Sequence, residues 1–129
     1  MILLDTHVVV WLNLNPRRLS KTASSALRRA SRSGGMAISS VSLVELARLI
    51  ASGRIDQPSP LEEAIRQLTL DLTILPVTIE IAALTTYFPP DFSSDPMDRI
   101  IAATARAEGI PLVTADERIL RSPLLKTIW

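Results

Sequence analysis

The amino-acid sequence predicts an α/β fold, in which a mainly parallel sheet of roughly five strands carries helices on both faces. Short apolar runs of strand type alternate along the chain with longer segments in which apolar residues recur at helical spacing. The short runs are apolar nearly throughout, which is typical of strands buried on both faces of a parallel sheet. Such alternation calls for helices packed on both faces of that sheet.

The element boundaries follow from local sequence signals. The first helix ends near Asn15-Pro16, because proline does not continue a helix, and the second ends at Gly34-Gly35. Gly53 and Gly109 mark the C-terminal ends of two later helices, and Pro60 suits the first turn of the fourth. The predicted strands are Met1–Leu4, Met36–Ser40, Leu72–Val77, Ile110–Thr114 and Leu124–Trp129. The predicted helices are Thr6–Leu14, Ser20–Ser31, Ser42–Ser52, Pro58–Leu70, Thr78–Phe88, Asp95–Glu108 and Asp116–Arg121.

Length and composition predict a single domain over residues 1–129. Hydrophobic residues make up 47% of the 129 residues, enough for one well-buried core. The chain contains no cysteine, which excludes disulfides and thiolate zinc sites. The apolar start Met1–Leu14 has no basic leader and is interrupted by Asp5 and His7, so we expect neither a signal peptide nor a membrane span. A cytoplasmic protein without a membrane partner is therefore expected.

Basic residues are concentrated in one part of the chain, although the net charge is only +1. No acidic residue lies between Asp5 and Glu45. Six basic residues lie there: Arg17, Arg18, Lys21, Arg28, Arg29 and Arg32. Such a one-sided segment could line a phosphate backbone, or it could be a solvated helix face.

Four acids stand where a strand-like run gives way to the start of a helix. They are Asp5, Glu45, Asp98 and Asp116. Because the carboxyl ends of parallel strands meet at one edge of a sheet, these side chains are expected to converge there. Clustered carboxylates repel one another unless a cation or protons neutralise them. Oxygen ligands without cysteine favour Mg²⁺ or Mn²⁺, so the sequence predicts a divalent-metal site and chemistry on phosphates.

Helix capping is the competing interpretation of these acids. Ser42 and Glu45 match a capping box, and Asp95 would cap a helix that carries Asp98 in its first turn. The remaining two acids could also favour helix N-termini through the helix dipole. Serine, threonine or asparagine would cap equally well, however, so capping alone does not require an acid after so many different strands. Asp95 keeps the capping role in either interpretation.

Four sequence blocks resemble a known family. The blocks are Leu3-Leu4-Asp5-Thr6-His7-Val8, Ser42-x-x-Glu45-Leu46, Asp95-Pro96-Met97-Asp98-Arg99-Ile100-Ile101-Ala102-Ala103-Thr104-Ala105 and Leu112-Val113-Thr114-x-Asp116. In this order, over essentially the whole chain, they are similar to PIN-domain ribonucleases and, among these, to the VapC-type toxins of prokaryotic toxin–antitoxin pairs. The resemblance implies a PIN-like three-layer α/β/α fold with a five-stranded parallel sheet.

The resemblance also assigns roles to individual residues. It implies that Asp5, Glu45 and Asp98 are the central metal-binding and catalytic carboxylates, with Asp116 as the more variable fourth acid. Supporting positions beside the site are Thr6, Asp95, Arg99 and Thr114.

The implied activity is hydrolysis of RNA phosphodiester bonds by a water bound to one or two Mg²⁺ or Mn²⁺ ions. The resemblance further implies a homodimer that is silenced by a cognate antitoxin protein. The alternative is a non-catalytic PIN-like module that binds RNA or protein through a degenerate metal site. Receiver domains and haloacid-type phosphatases fit less well, because Asp5-Thr6-His7 provides neither paired acids nor an Asp-x-Asp motif.

Two further side chains near the acids allow more than one interpretation. His7 could serve as a general acid, although a structural role at the start of the first helix is favoured. Arg99 could reach a phosphate or form a salt bridge with Asp95. Aromatic residues are few, so base stacking is not expected to be the main source of RNA affinity.

Overall fold

The computed structural model describes residues 1–57 and 60–129, and within them it contains a five-stranded sheet and seven helices. The strands are β1 (Ile2–Leu4), β2 (Met36–Ser39), β3 (Leu72–Leu75), β4 (Leu112–Val113) and β5 (Thr127–Ile128). The helices are α1 (Thr6–Leu14), α2 (Lys21–Arg32), α3 (Ser40–Ala51), α4 (Leu61–Leu68), α5 (Ile79–Leu84), α6 (Pro96–Glu108) and α7 (Glu117–Leu120). None of these helices has both the length and the apolar character that crossing a membrane would require.

The strands lie in the order β3-β2-β1-β4-β5, and each of the four neighbouring pairs is parallel. The chain extends the sheet from β1 through β2 to β3, and then returns to the other side of β1 with β4. Strand order therefore reverses between β1 and β4, and in open parallel sheets ligands bind at the carboxyl edge of such a point. Asp5 directly follows β1 there, and Thr114 directly follows β4.

Successive residues of the central strands face opposite layers. Leu4 and Val113 pack into a core formed with α1, α2, α3 and α4. Their neighbours Leu3 and Leu112 pack into a second core formed with α5, α6 and α7. All four side chains are fully buried, and each such burial stabilises the fold by about 1.5–3 kcal/mol. The predicted three-layer α/β/α fold with a five-stranded parallel sheet is confirmed.

The start of α3 differs from the predicted one. The helix begins at Ser40, and Ser39 is its N-cap, since the Ser39 hydroxyl accepts a hydrogen bond from the N–H of Val41 at 3.3 Å. The helix start predicted at Ser42 is therefore wrong by two residues, and the competing interpretation of Ser42 and Glu45 as a capping box does not hold. Both residues lie inside the helix, where their side chains are available for other contacts.

Other differences concern the ends of elements. The strand predicted over Leu72–Val77 ends at Leu75, because Pro76 has no N–H to continue the ladder of this edge strand. The helix predicted over Thr78–Phe88 is divided into α5 and a single 3-10 turn at Thr85–Tyr87. The helix predicted from Pro58 is observed from Leu61 onward, and its predicted start at Pro58-Ser59 lies outside the described residues.

The basic segment of residues 17–32 does not follow the carboxyl edge along its whole length. Arg29 and Arg32 lie in the last turn of α2. Shortly after this turn, the carbonyl of Gly35 accepts a hydrogen bond from the N–H of Ile2 at the amino end of β1. The second half of the basic segment therefore lies near the edge of the sheet opposite the acids.

Candidate functional site

Asp5 lies at the carboxyl end of the central strand, and both of its carboxylate oxygens accept hydrogen bonds. Its Oδ1 accepts a hydrogen bond from the N–H of Thr6 at 2.8 Å, which makes Asp5 the N-cap of α1. Its Oδ2 accepts from the hydroxyl of Thr114 at 2.8 Å, and the residue is only 5% exposed. This second bond joins β1 to β4 at the point where strand order reverses. Each carboxylate oxygen keeps a free lone pair that can still bind a cation.

Thr6 connects the first acid to the second. Its hydroxyl donates to Oε1 of Glu45 at 2.5 Å and lies 2.9 Å from Oγ of Ser42. Ser42 and Glu45 are three residues apart on α3, so both face the start of α1. Thr6 and Ser42 are buried, and together they direct the Glu45 carboxylate towards Asp5.

Asp98 is held by the loop that precedes its own helix. The hydroxyl of Ser93 donates to Oδ2 of Asp98 at 2.9 Å, and its oxygen accepts from the N–H of Asp95 at 3.1 Å. Asp95 caps α6, since its Oδ1 accepts from the N–H of Met97 at 2.9 Å. The capping role predicted for Asp95 is confirmed, and Asp98 stands in the first turn of α6.

Asp116 is the N-cap of α7. Its Oδ1 accepts from the N–H groups of Arg118 at 2.9 Å and Ile119 at 3.4 Å. Its own N–H donates to the hydroxyl oxygen of Thr114 at 3.1 Å. Thr114 therefore contacts both the first acid, Asp5, and the fourth. Asp116 is thus a helix cap, as the competing interpretation has it, and its charge also helps to raise the pKa of Asp98.

The pKa of Glu45 shows that this residue shares its surroundings with other acids. Burial is the main cause that raises the pKa of Glu45 above its usual value, and the hydrogen bond from Thr6 opposes the rise. The charges of Asp5, Asp98 and Asp95 raise it further, in that order of size. A carboxylate that is both buried and close to like charges is harder to ionise.

Asp98 is affected in the same way and more strongly. Burial raises the pKa of Asp98 to about 6, and the hydrogen bond from Ser93 opposes the rise. The charges of Asp5, Asp95 and Asp116 add to the effect. Among the neighbouring acids, Asp5 has the largest effect on both of the raised carboxyl groups. The four sequence-predicted acids thus stand at one edge of the sheet and repel one another.

The acids form an open arrangement rather than a closed cage. Within residues 1–57 and 60–129, no three acidic or histidine side chains lie close enough together to hold a single ion. A cavity of about 340 Å³ opens beside Glu45 and Asp95, and Arg48 and Arg54 line its wall. Water and the oxygens of a substrate therefore have access to Glu45 from this side.

Residues 2–123 match the sequence profile of the PIN domain, which spans nearly the whole chain. This chain belongs to the PIN-domain family. It is 37% identical, over 130 aligned residues, to a protein of Mycobacterium tuberculosis (strain H37Rv) named Ribonuclease VapC22. That alignment covers 99% of this chain and 98% of the mycobacterial protein.

Solved structures share the same fold. VapBC2 from Rickettsia felis, bound to a DNA fragment from its promoter, has a TM-score of 0.75 and 21% identity, with 98% of this chain and 97% of that chain covered. DNA-bound VapBC from Salmonella typhimurium has a TM-score of 0.72 and 19% identity, with the same coverage. The fold of this PIN domain is therefore that of proteins found in toxin–antitoxin complexes.

His7 connects two segments of the PIN domain. Its Nε2 accepts a hydrogen bond from the N–H of Ala115 at 3.0 Å, while its Nδ1 lies 3.7 Å from Oδ2 of Asp5. Its ring packs on Trp11 with 4.8 Å between ring centroids. These contacts support the structural role, because they tie the segment that carries Asp116 to α1.

Arg99 contacts backbone rather than a carboxylate. It donates to four carbonyl oxygens, those of Ser93 at 2.6 Å, Phe88 at 2.9 Å, Pro89 at 2.9 Å and Thr85 at 3.4 Å. Within the two described ranges the expected ion pair with Asp95 is not formed, since the guanidinium is occupied by these carbonyls. Arg99 thus fixes the loop from which Ser93 reaches Asp98.

Two serines take part in the site in ways that sequence reasoning missed. For Ser42 the sequence offers only a capping role, yet its spacing of three from Glu45 on a helix places both on one face. Ser93 was not singled out, and its only signal was its position before the helix start at Asp95-Pro96. Its bond to Asp98 depends on the course of the loop, which sequence spacing does not report.

Replacing Thr6 by valine should raise the pKa of Glu45 further, because the hydrogen bond that favours the ionised carboxylate is lost. The free energy of unfolding should fall by about 1–3 kcal/mol, since Ser42 and Glu45 lose a buried partner. Carbon NMR of the side-chain carboxyls and urea denaturation measure the two effects. Thr86→Val is the control, because that exposed hydroxyl bonds only the carbonyl of Ala83. An unchanged Glu45 pKa in the Thr6 variant would contradict this description.

Replacing Arg99 by methionine should lower the free energy of unfolding by about 2–3 kcal/mol, because several carbonyls lose a charged donor. Arg99→Lys should restore only part of this, since an ammonium group does not reproduce the guanidinium fork. Arg106→Met, on the exposed end of the same helix, should change stability by less than about 0.5 kcal/mol. Urea denaturation compares the three variants, and equal effects at positions 99 and 106 would show that the carbonyl contacts do not stabilise the fold.

Proposed function

We propose that this PIN domain is a Mg²⁺- or Mn²⁺-dependent endoribonuclease that acts as the toxin of a toxin–antitoxin pair. The proposal depends mainly on one observation: acids from four separate segments stand at the carboxyl edge of the sheet, where burial and the charges of neighbouring acids raise the pKa of Glu45 and Asp98. A divalent cation bound among them would remove that repulsion. The name of the mycobacterial relative, a ribonuclease, supports RNA as the substrate.

The donor set fits a hard divalent cation. The proposed ligands, Asp5, Glu45, Asp98 and Asp116, offer carboxylate oxygens only, which suit Mg²⁺ or Mn²⁺. Mg²⁺ keeps several waters and usually binds protein through one or two carboxylates, so it does not need three acids converging on one point. Nucleases of this family generally depend on a divalent metal. Thr6 and Thr114 support the ligands by orienting Asp5 and Glu45.

The reaction would be addition of water to phosphorus, with cleavage of one P–O bond of the RNA backbone. When bound, the cation supplies a water of lowered pKa and offsets negative charge on the phosphate oxygens. The residues of the chain hold the proposed ligand carboxylates in fixed positions. Asp5 is fixed by Thr6 and Thr114, Glu45 by Thr6, and Asp98 by Ser93. Carboxylates held in this way need little reorganisation when substrate arrives.

We further propose that a cognate antitoxin protein silences the enzyme and that it forms a homodimer. The solved structures of the same fold are of VapBC complexes, which supports a protein partner. Exposed apolar side chains at Ile74, Val77 and Ile79 provide surface for association. We also propose that residues 1–129 act as a single domain, which the one sheet shared by both cores supports, and that the protein acts on RNA in the cytoplasm.

The proposed activity predicts cleavage of labelled cellular RNA, including tRNA, by the purified protein with Mn²⁺ or Mg²⁺. Chelator should abolish the cuts, and Asp98→Asn should slow them by at least about a hundredfold, because a proposed ligand of the cation that activates water and offsets phosphate charge is lost. Asp71→Asn is the matched control, since Asp71 precedes β3 at the opposite edge of the sheet. Failure of the metal-loaded protein to cut any of these RNAs would favour the alternative, a non-catalytic PIN-like module that binds RNA or protein.

The raised pKa of Asp98 predicts how stability depends on pH without metal. Between pH 4 and about 6 the folded state holds a proton that the unfolded state releases, so the free energy of unfolding falls as pH rises through this range. Asp98→Asn cannot ionise, so its free energy of unfolding should not fall in this way as pH rises. The metal-free variant should be more stable than wild type at pH 7 by about 1–2 kcal/mol, a value reduced for solvent screening of a half-exposed group. Ser93 can still donate to the amide oxygen of the variant.

Urea denaturation at pH 4 and pH 7 in chelator tests this expectation, and the two proteins should differ less at the lower pH. Adding Mg²⁺ at ten times its dissociation constant should stabilise the wild-type protein by about 1.4 kcal/mol and the variant by less. A variant that is less stable than wild type at pH 7 in chelator would contradict the repulsion described for Asp98.

A further inference from the structure

A second cavity, of about 550 Å³, lies on the α7 side of the acids. The segment of residues 87–92 forms one wall, and α7 with the loop after it forms the other. Its lining includes Tyr87, Pro89, Phe92, Arg118 and Arg121. The volume falls within the range of about 300–1,000 Å³ that is typical of ligand sites.

The walls of this cavity are also the segments that hold two of the acids. Phe92 directly precedes Ser93, whose hydroxyl donates to Asp98. On the other wall, the N–H of Arg118 donates to Asp116. Each wall of the cavity therefore lies within two residues, along the backbone, of a group that bonds one of the acids, so a ligand in the cavity would lie beside the acids.

Tyr87 presents an aromatic face at this cavity. It is 73% exposed, the largest exposure of an aromatic side chain among residues 1–57 and 60–129. The other aromatics near it are engaged, since Phe88 and Phe92 stack on each other with 4.5 Å between ring centroids. Trp11 and Trp129 pack together on the other side of the sheet, with 5.8 Å between their centroids. Tyr87 is thus the ring best placed to stack on a ligand.

Two arginines give the cavity positive charge. Arg118 and Arg121 both line it and both are exposed, and neither forms an ion pair with an acidic side chain in the described part of the chain. Asp91 also lines the cavity, so its net charge is positive and it includes one carboxylate acceptor. Guanidinium groups bind phosphate oxygens through paired donors.

We propose that this cavity binds one nucleotide of single-stranded RNA beside the scissile phosphodiester. The base stacks on Tyr87, and Arg118 and Arg121 bind the adjoining phosphate. Asp91 can accept from an exocyclic amino group of the base. The proposal rests on the RNA-cleaving function proposed above. It assigns to this cavity the binding of the nucleotide next to the one that reacts at the acids.

Single-stranded RNA fits this lining better than an acidic peptide does. Proteins that bind single strands combine a cationic surface with an aromatic platform, which is the combination found here. An acidic peptide would use the two arginines but would gain little from the face of Tyr87. The second half of the basic segment of residues 17–32, near the opposite edge of the sheet, is less well placed to grip RNA next to the acids.

The experiment measures binding of a short fluorescently labelled single-stranded RNA by anisotropy, in the Asp98→Asn background so that the RNA stays intact. Tyr87→Ala should weaken binding about tenfold, within the range measured for loss of one base–aromatic stack. Tyr87→Phe keeps the ring and should retain the affinity. Arg121→Gln should reduce the slope of log affinity against log salt by about 0.7, the value for one phosphate contact on a single strand. Arg29→Gln, in the last turn of α2 near the opposite edge of the sheet, should change neither affinity nor slope.

Inorganic polyphosphate is the second probe, and it distinguishes stacking from charge. Tyr87→Ala should leave polyphosphate binding unchanged, whereas Arg121→Gln should weaken it. Equal RNA affinity with Tyr87 and with Tyr87→Ala would overturn the proposal, and so would the absence of RNA binding from both proteins. Tyr87→Ala weakening the binding of RNA and of polyphosphate by the same factor would also overturn it. Cleavage by the protein with Asp98 intact is measured separately. Cleavage that does not depend on Tyr87 would support the proposed nuclease and contradict binding of its substrate in this cavity. Tyr87-dependent binding without cleavage would support RNA binding in the cavity and contradict the proposed nuclease.

Discussion

The buried carboxylate of Asp5 connects the parts of this molecule that matter for its site. One oxygen caps α1, and the other accepts from Thr114 at the end of the neighbouring strand β4. The same carboxylate is the strongest charged neighbour of both Glu45 and Asp98. Because Asp5 is buried and bonded on both sides, the other acids are arranged around a fixed charge rather than a mobile one. Each of them then needs its own hydroxyl partner, and Thr6 and Ser93 meet this need.

The site therefore combines repulsion with rigidity. Like charges near one another destabilise a fold, and hydroxyl donors offset part of that cost without neutralising the charge. In this PIN domain the donors come from short-range neighbours for some acids and from distant segments for others. Arg99 supports Asp98 indirectly, since it donates hydrogen bonds to carbonyls of the loop that carries Ser93. The position of Asp98 thus depends partly on Arg99, which holds the loop by its carbonyls and does not bond the Asp98 carboxylate.

Much of this arrangement was predictable from local sequence, and the remainder depended on the path of the chain. The apolar pairs in β1 and β4 predicted strands buried on both faces, and acids that follow strand ends had to share one edge. Capping was harder to assign, because Ser39 and Ser42 are both plausible caps and only the start of α3 distinguishes them. The partners of Arg99 are backbone carbonyls, which every residue possesses, so no spacing of residue types could indicate them. The cavity that Tyr87 lines likewise forms only when the fold brings residues 87–92 next to α7.

The bond between Asp5 and Thr114 joins residues that are 109 positions apart in the chain. At a synthesis rate of about 5–20 residues per second, the ribosome adds Thr114 roughly 5–20 s after Asp5. Until then β1 lacks its neighbour β4, and the central acid lacks one of its two anchors. Under the proposed function, we therefore expect the site to assemble only when synthesis of the chain is nearly complete, and RNA cleavage to begin no earlier.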